Sequence, residues 1–151
     1  MQSELDHTLF EHCRNGHLEQ AKYVYDLGAN LNATQSIETF IPAYKDRPHS
    51  LEDGITITEE ITPLFIAIDN RDLELTAWLI EEGANMHYNS GHSTPIHRAI
   101  RSGNIEMLSL LIDYDIDIHF GTLMDTPLLY AMHLKQYDMV ELLLQHGANM
   151  D

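Results

Sequence analysis

The sequence predicts an all-α solenoid, a single domain of stacked helix-turn-helix units with projecting turns. Three observations carry that prediction. The dipeptide Thr-Pro recurs at Thr62-Pro63, Thr94-Pro95 and Thr126-Pro127, 32 residues apart each time. An alanine stands five residues after each threonine, at Ala67, Ala99 and Ala131. Gly83-Ala84-Asn85-Met86 returns 64 residues on as Gly147-Ala148-Asn149-Met150, and Gly28-Ala29-Asn30-Leu31 echoes it upstream. Self-similarity at a fixed period of this length marks a repeat architecture.

Each unit predicts two short helices. Thr followed by Pro is a good helix start, because the hydroxyl caps free amides and Pro is tolerated at the first helical position. A helix of about two turns is expected over 95–102, closed by Gly103, which accepts positive φ. A second helix is expected over about 105–114. Its apolar residues Ile105, Met107, Leu108, Leu110, Leu111 and Ile112 cover more than one stripe, so it packs on several sides. One unit cannot bury such a face alone, and stacking follows.

The motif Thr94-Pro95-Ile96-His97-Arg98-Ala99, then Gly103-Asn104-Ile105-Glu106 and Leu110-Leu111, resembles the ankyrin repeat. Flanking units carry Thr62-Pro63-Leu64-Phe65-Ile66-Ala67 and Thr126-Pro127-Leu128-Leu129-Tyr130-Ala131. A degenerate first unit opens at His7-Thr8-Leu9-Phe10 and closes at Gly28-Ala29-Asn30-Leu31-Asn32. The resemblance implies an ankyrin-type solenoid with projecting β-turn fingers, with repeats at about 1–32, 59–86, 87–118 and 119–151. Residues 33–58 form an insertion, whose Ile55-Thr56-Ile57-Thr58 alternates as a short strand does. The resemblance also gives His97 the task of bonding Thr94 and nearby backbone.

Some positions depart from the pattern. Arg71 and Lys135 stand where the turn glycine belongs, and Asp115 replaces the glycine after the third unit's second helix. A side chain at positive φ costs roughly 1 kcal/mol or more, so strain or reshaping is expected there. The run Asp113-Tyr114-Asp115-Ile116-Asp117-Ile118 imitates a calcium loop, but Ile118 stands where that loop needs Gly and Met124 where it needs Glu. The repeat accounts for the three aspartates instead, as the end of one helix and the start of a turn.

Composition narrows the function. Eight Lys and Arg against 24 Asp and Glu give a net charge of −16. Such a chain repels phosphate backbones and anionic lipid surfaces, so neither nucleic acid nor membrane is expected as a partner. The lone Cys13 permits no intrachain disulfide, and the N-terminus lacks the pattern of a signal peptide. A cytoplasmic setting is expected. Ten histidines occur without the spacing of a zinc site. His12 and Cys13 are adjacent on a helix and point about 100° apart, so they form no nucleophile-base pair. No catalytic residue, metal or cofactor is expected.

A protein partner remains. Ankyrin-like stacks bind along a concave face formed by the first helices and projecting turns. Equivalent positions there are Glu11, Ile66, Arg98 and Tyr130, and again Arg14, Asp69, Arg101 and His133. Phe40 and Tyr44 of the insertion complete the expected partner-binding set. The function expected is a noncatalytic protein-protein interaction module that uses groove and inserted loop. The alternative is an acidic inhibitor or immunity-type protein neutralising a basic enzyme or toxin. The last helix carries Met139, Val140, Leu142, Leu143 and Leu144 with no polar closing unit after it, so a fragment of a longer chain is expected.

Overall fold

Thr94 lies in extended conformation (φ −127°, ψ 167°), and its hydroxyl accepts a hydrogen bond from the His97 amide. That bond, with Pro95 at the first helical position, opens a helix over Pro95–Ser102. Thr126 opens Pro127–His133 in the same way through the Leu129 amide. Second helices use other caps. Asn104 accepts from the Glu106 and Met107 amides ahead of Ile105–Asp113, and Asp72 accepts from Leu75 ahead of Leu73–Glu81. Each side chain satisfies amides that have no partner inside the helix.

The computed structural model describes residues 2–41, 55–122 and 125–148. Among them the order is α1 (Gln2–Arg14), α2 (Leu18–Asp26), β1 (Gln35–Ile41), β2 (Ile55–Ile61), α3 (Pro63–Asp69), α4 (Leu73–Glu81), α5 (Pro95–Ser102), α6 (Ile105–Asp113), α7 (Pro127–His133) and α8 (Tyr137–Gln145). First helices stack as α1, α3, α5, α7, and α4, α6 and α8 stack in a second layer. The core repeats with the sequence. Leu64, Ile96 and Leu128 are buried at one position, Ala67, Ala99 and Ala131 at a second, and Leu79, Leu111 and Leu143 at a third. Burial of the same three sites in successive units makes one continuous core from faces that no unit could cover alone.

Hydrogen bonds also tie the projecting turns together. The Asn32 side chain accepts from the Asn85 amide at 2.8 Å, and His87 Nε2 accepts from the Asp117 amide at 3.0 Å. Asp117 in turn accepts from the His119 amide through its carboxylate. The last aspartate of the imitation calcium loop is thereby occupied in turn formation. No group of metal-ligating side chains occurs among the described residues.

The strained turns fall where the sequence puts them. Gly16 and Gly103 take φ 71°, and Arg71 and Lys135 adopt the same left-handed conformation at φ 59°. Asp115 does so at φ 61°, in the place held by Gly28, Gly83 and Gly147 elsewhere.

The all-α expectation gives way at the insertion. β1 and β2 form an antiparallel hairpin paired without a bulge from Gln35↔Ile61 to Ile41↔Ile55. The short strand expected at 55–58 extends to Ile61, and its partner β1 is an addition to the expected architecture. Burial alternates as the pleat requires. Ile37, Thr39, Ile57, Glu59 and Ile61 turn inward, while Ser36, Glu38, Phe40, Thr56, Thr58 and Glu60 face solvent. No helix among the described residues is long and apolar enough to cross a membrane.

Candidate partner-binding surface

Asp69, Arg101 and His133 recur at 32-residue intervals on α3, α5 and α7, and Arg14 holds the corresponding place on α1. The fold therefore aligns them as one row along the stacked first helices. All four are exposed. Arg14 donates to Glu11 and to Gln35 at the foot of β1. His133 Nδ1 lies 3.4 Å from an Asp125 carboxylate oxygen. Arg101 makes no ion pair among the described residues and lies near enough to Asp69 to act on its charge.

The other row is used differently. Ile66 is buried, and Tyr130 is half-buried with its ring 5.1 Å from that of His97. Arg98, expected to meet a partner, is only 2% exposed. Its Nη2 donates to Glu59 of β2, its Nη1 donates to Asp69 at 2.9 Å, and its guanidinium carbon sits 5.1 Å from the centre of the Phe65 ring. Its Nε has no hydrogen-bond partner among the described residues. The physical reason is the hairpin. Its inward face lies against the groove at this point, and Arg98 is enclosed beneath it.

Sequence reasoning passed over Glu59, the residue that fixes this arrangement. Its carboxylate also accepts from Thr39 and Ser90, at 2.9 and 2.7 Å. Burial alone would raise its pKa. The Ser90 hydrogen bond, the Arg98 charge and the Thr39 hydrogen bond together outweigh burial and hold it below the ordinary 4.5. The available signal was a glutamate in an inward position of the alternating stretch Ile55–Ile61.

In the insertion, Phe40 is 58% exposed on the hairpin's outer face. Tyr44 lies outside the described residues. His97 is buried, with Nδ1 accepting from the Thr94 hydroxyl at 2.7 Å and Nε2 donating to the Asp125 carbonyl at 3.1 Å. Burial lowers its pKa below 6.5 despite the opposing effect of Asp125, so it bridges two units as a neutral ring. Cys13 is buried, its thiol pushed up to about 12 by burial first and by the Asp72 charge second.

No curated protein matches the chain. The family description "Ankyrin repeats (3 copies)" matches residues 9–122 and 64–151, which together run from within α1 through α8. Thr-Pro caps, paired helices, hydrogen-bonded turns and this match agree: the chain belongs to the ankyrin-repeat family, whose repeats are in general protein-protein interaction modules.

Proposed function

We propose that this chain is a noncatalytic protein-binding module whose partner lies along Arg14, Asp69, Arg101 and His133, with the hairpin as a side wall and Phe40 as a further contact on its outer face. The supporting observation is the row itself. Four exposed polar side chains sit on successive first helices over a packed base that includes Ile66, Arg98 and Tyr130. Rigid presentation lowers the ordering cost of binding, and Arg is favoured where binding energy concentrates. Tyr44 belongs to the proposed surface on sequence grounds alone.

The test is capture of a partner on immobilised protein, compared between wild type, Arg101→Glu with His133→Glu, and a chain whose residues 42–54 are replaced by Asn-Gly. Ile41 and Ile55 are direct partners, so a two-residue turn fits between them. Loss of a salt-resistant partner with the groove pair supports this function. Equal capture by all three chains overturns it. The net charge of −16 favours a second possibility, a basic target neutralised by this protein. That version requires a single basic partner released by high salt.

A further inference from the structure

The hairpin has two outer edges, and they differ. On β2 the inward Glu59 is fixed by Ser90 from the following turn, and Tyr88 lies near enough for Glu59 and Glu60 to act on it electrostatically. β2 thus faces the turn that opens the third unit and carries an inward charge, a common protection of a sheet edge. β1 is less protected, its one charged side chain being Glu38. Its sequence, Gln35-Ser36-Ile37-Glu38-Thr39-Phe40-Ile41, holds no Lys, no Pro and no inward charge, and its pairing has no bulge. Among the described residues, no backbone hydrogen bond joins it to anything besides β2.

At the foot of this edge lies an open hollow of about 200 Å³ between Asp6, His7 and Phe10 of α1 and the Ala33, Thr34 and Gln35 that lead into β1. Phe10 lies buried beneath its floor, and the half-buried Ala33 supplies apolar surface. Asp6 uses one carboxylate oxygen, Oδ1, to accept from Gln2 and from the Asn30 amide. Its Oδ2 has no hydrogen-bond partner among the described residues. The hollow therefore offers an apolar wall for an aliphatic stem and an anionic oxygen for its tip, which suits lysine.

We propose that β1 is a docking edge for an extended basic segment of a partner protein, which adds a third strand to the hairpin and places a lysine against Asp6. Main-chain hydrogen bonds supply affinity in such strand addition, and the pocket supplies selectivity. Charge argues for this occupant: the solvent-facing residues of the two strands include Glu38 and Glu60 and no cation, on a chain of net charge −16. A two-stranded hairpin is a marginal structure, so it gains from a third strand. The inference rests on the binding-module function and locates a second contact, separate from the helical row.

The test uses the full chain and an acetylated ten-residue peptide of alternating valine and threonine with lysine at both ends. Amide hydrogen exchange is followed at residues 35–41 and 55–61. The expected result is slowed exchange at alternate residues of β1 and none at β2. A peptide N-methylated at every second residue, and one with glutamate in place of lysine, should give no protection. Asp6→Asn keeps an acceptor for Asn30 and should weaken binding roughly tenfold, about the share of one charge-assisted hydrogen bond. Protection on β2, protection by the N-methylated peptide, or unchanged affinity in Asp6→Asn overturns the proposal. Arg101→Glu should leave the titration unchanged while abolishing groove binding, so edge and groove fail separately.

Discussion

Glu59→Ala would remove the carboxylate that holds Arg98 beneath the hairpin. Both side chains are almost fully enclosed, at 1% and 2% exposure, so Arg98 cannot turn to water when its partner goes. Breaking a buried pair from one side costs about 3–5 kcal/mol, because an uncompensated charge stays behind. Asp69 still accepts from Arg98, and its side chain is 35% exposed, which argues for the lower end, about 3 kcal/mol. For a chain of 151 residues, each kcal/mol moves Tm by about 2–4 °C, so a fall of about 6–12 °C is expected. Urea denaturation and thermal melting followed by circular dichroism would measure it. Glu59→Gln, whose single carbonyl oxygen can still accept from Arg98 and Thr39, should cost less. Glu59→Leu combined with Arg98→Met should cost less than either change alone, since neither buried charge is stranded and Asp69 keeps access to water. Acid gives an independent check. The folded pKa of Glu59 lies below its unfolded value, so its contribution is fully present above about pH 4.5 and lost as pH falls through the folded value. A loss under about 1 kcal/mol for Glu59→Ala, or a double variant costing the sum of its singles, would refute the clamp.

Asp115→Gly should stabilise the protein by about 0.5–1 kcal/mol, the relief of a left-handed side-chain residue less the added chain entropy of glycine, as read by urea denaturation. His97 is neutral when folded with a lowered pKa, so its contribution is complete above pH 6.5 and falls as pH drops toward the folded value. The urea midpoint should therefore be lower at pH 5.5 than at pH 7.5, with a smaller difference in His97→Gln. Cys13, its thiol raised to about 12, should resist iodoacetamide at pH 8 in the folded protein and react within minutes in concentrated urea, as counted by mass spectrometry.

The repeat was legible because its determinants are local. Thr94 and Pro95 act on the next turn of chain, Gly103 acts on its own φ, and the apolar period fixes which helix faces meet. Arg71, Lys135 and Asp115 were legible for the same reason, since a missing glycine reports on a backbone angle at one residue. The hairpin was half legible. Ile55–Thr58 alternates plainly, whereas Gln35–Ile41 mixes polar and apolar residues on both faces, and only pairing with Ile55–Ile61 defines its inward side. Arg98 was misjudged because equivalence between repeats predicts a position on the stack and not what an insertion lays over it. Its carboxylate partner comes from outside the repeat period, where no internal comparison can find it.

The Glu59–Arg98 contact also sets an order of events during synthesis. Thirty-nine positions separate the two residues, and a ribosome adds about 5–20 residues per second, so the carboxylate is made roughly 2–8 s before its cation. By the end of that interval the nascent chain holds both strands and the helices on either side of them, yet Glu59 must stay hydrated. Only when α5 arrives can the carboxylate leave water. The final seat of the hairpin is thus decided by the third unit, and not by the two units that flank it in the sequence.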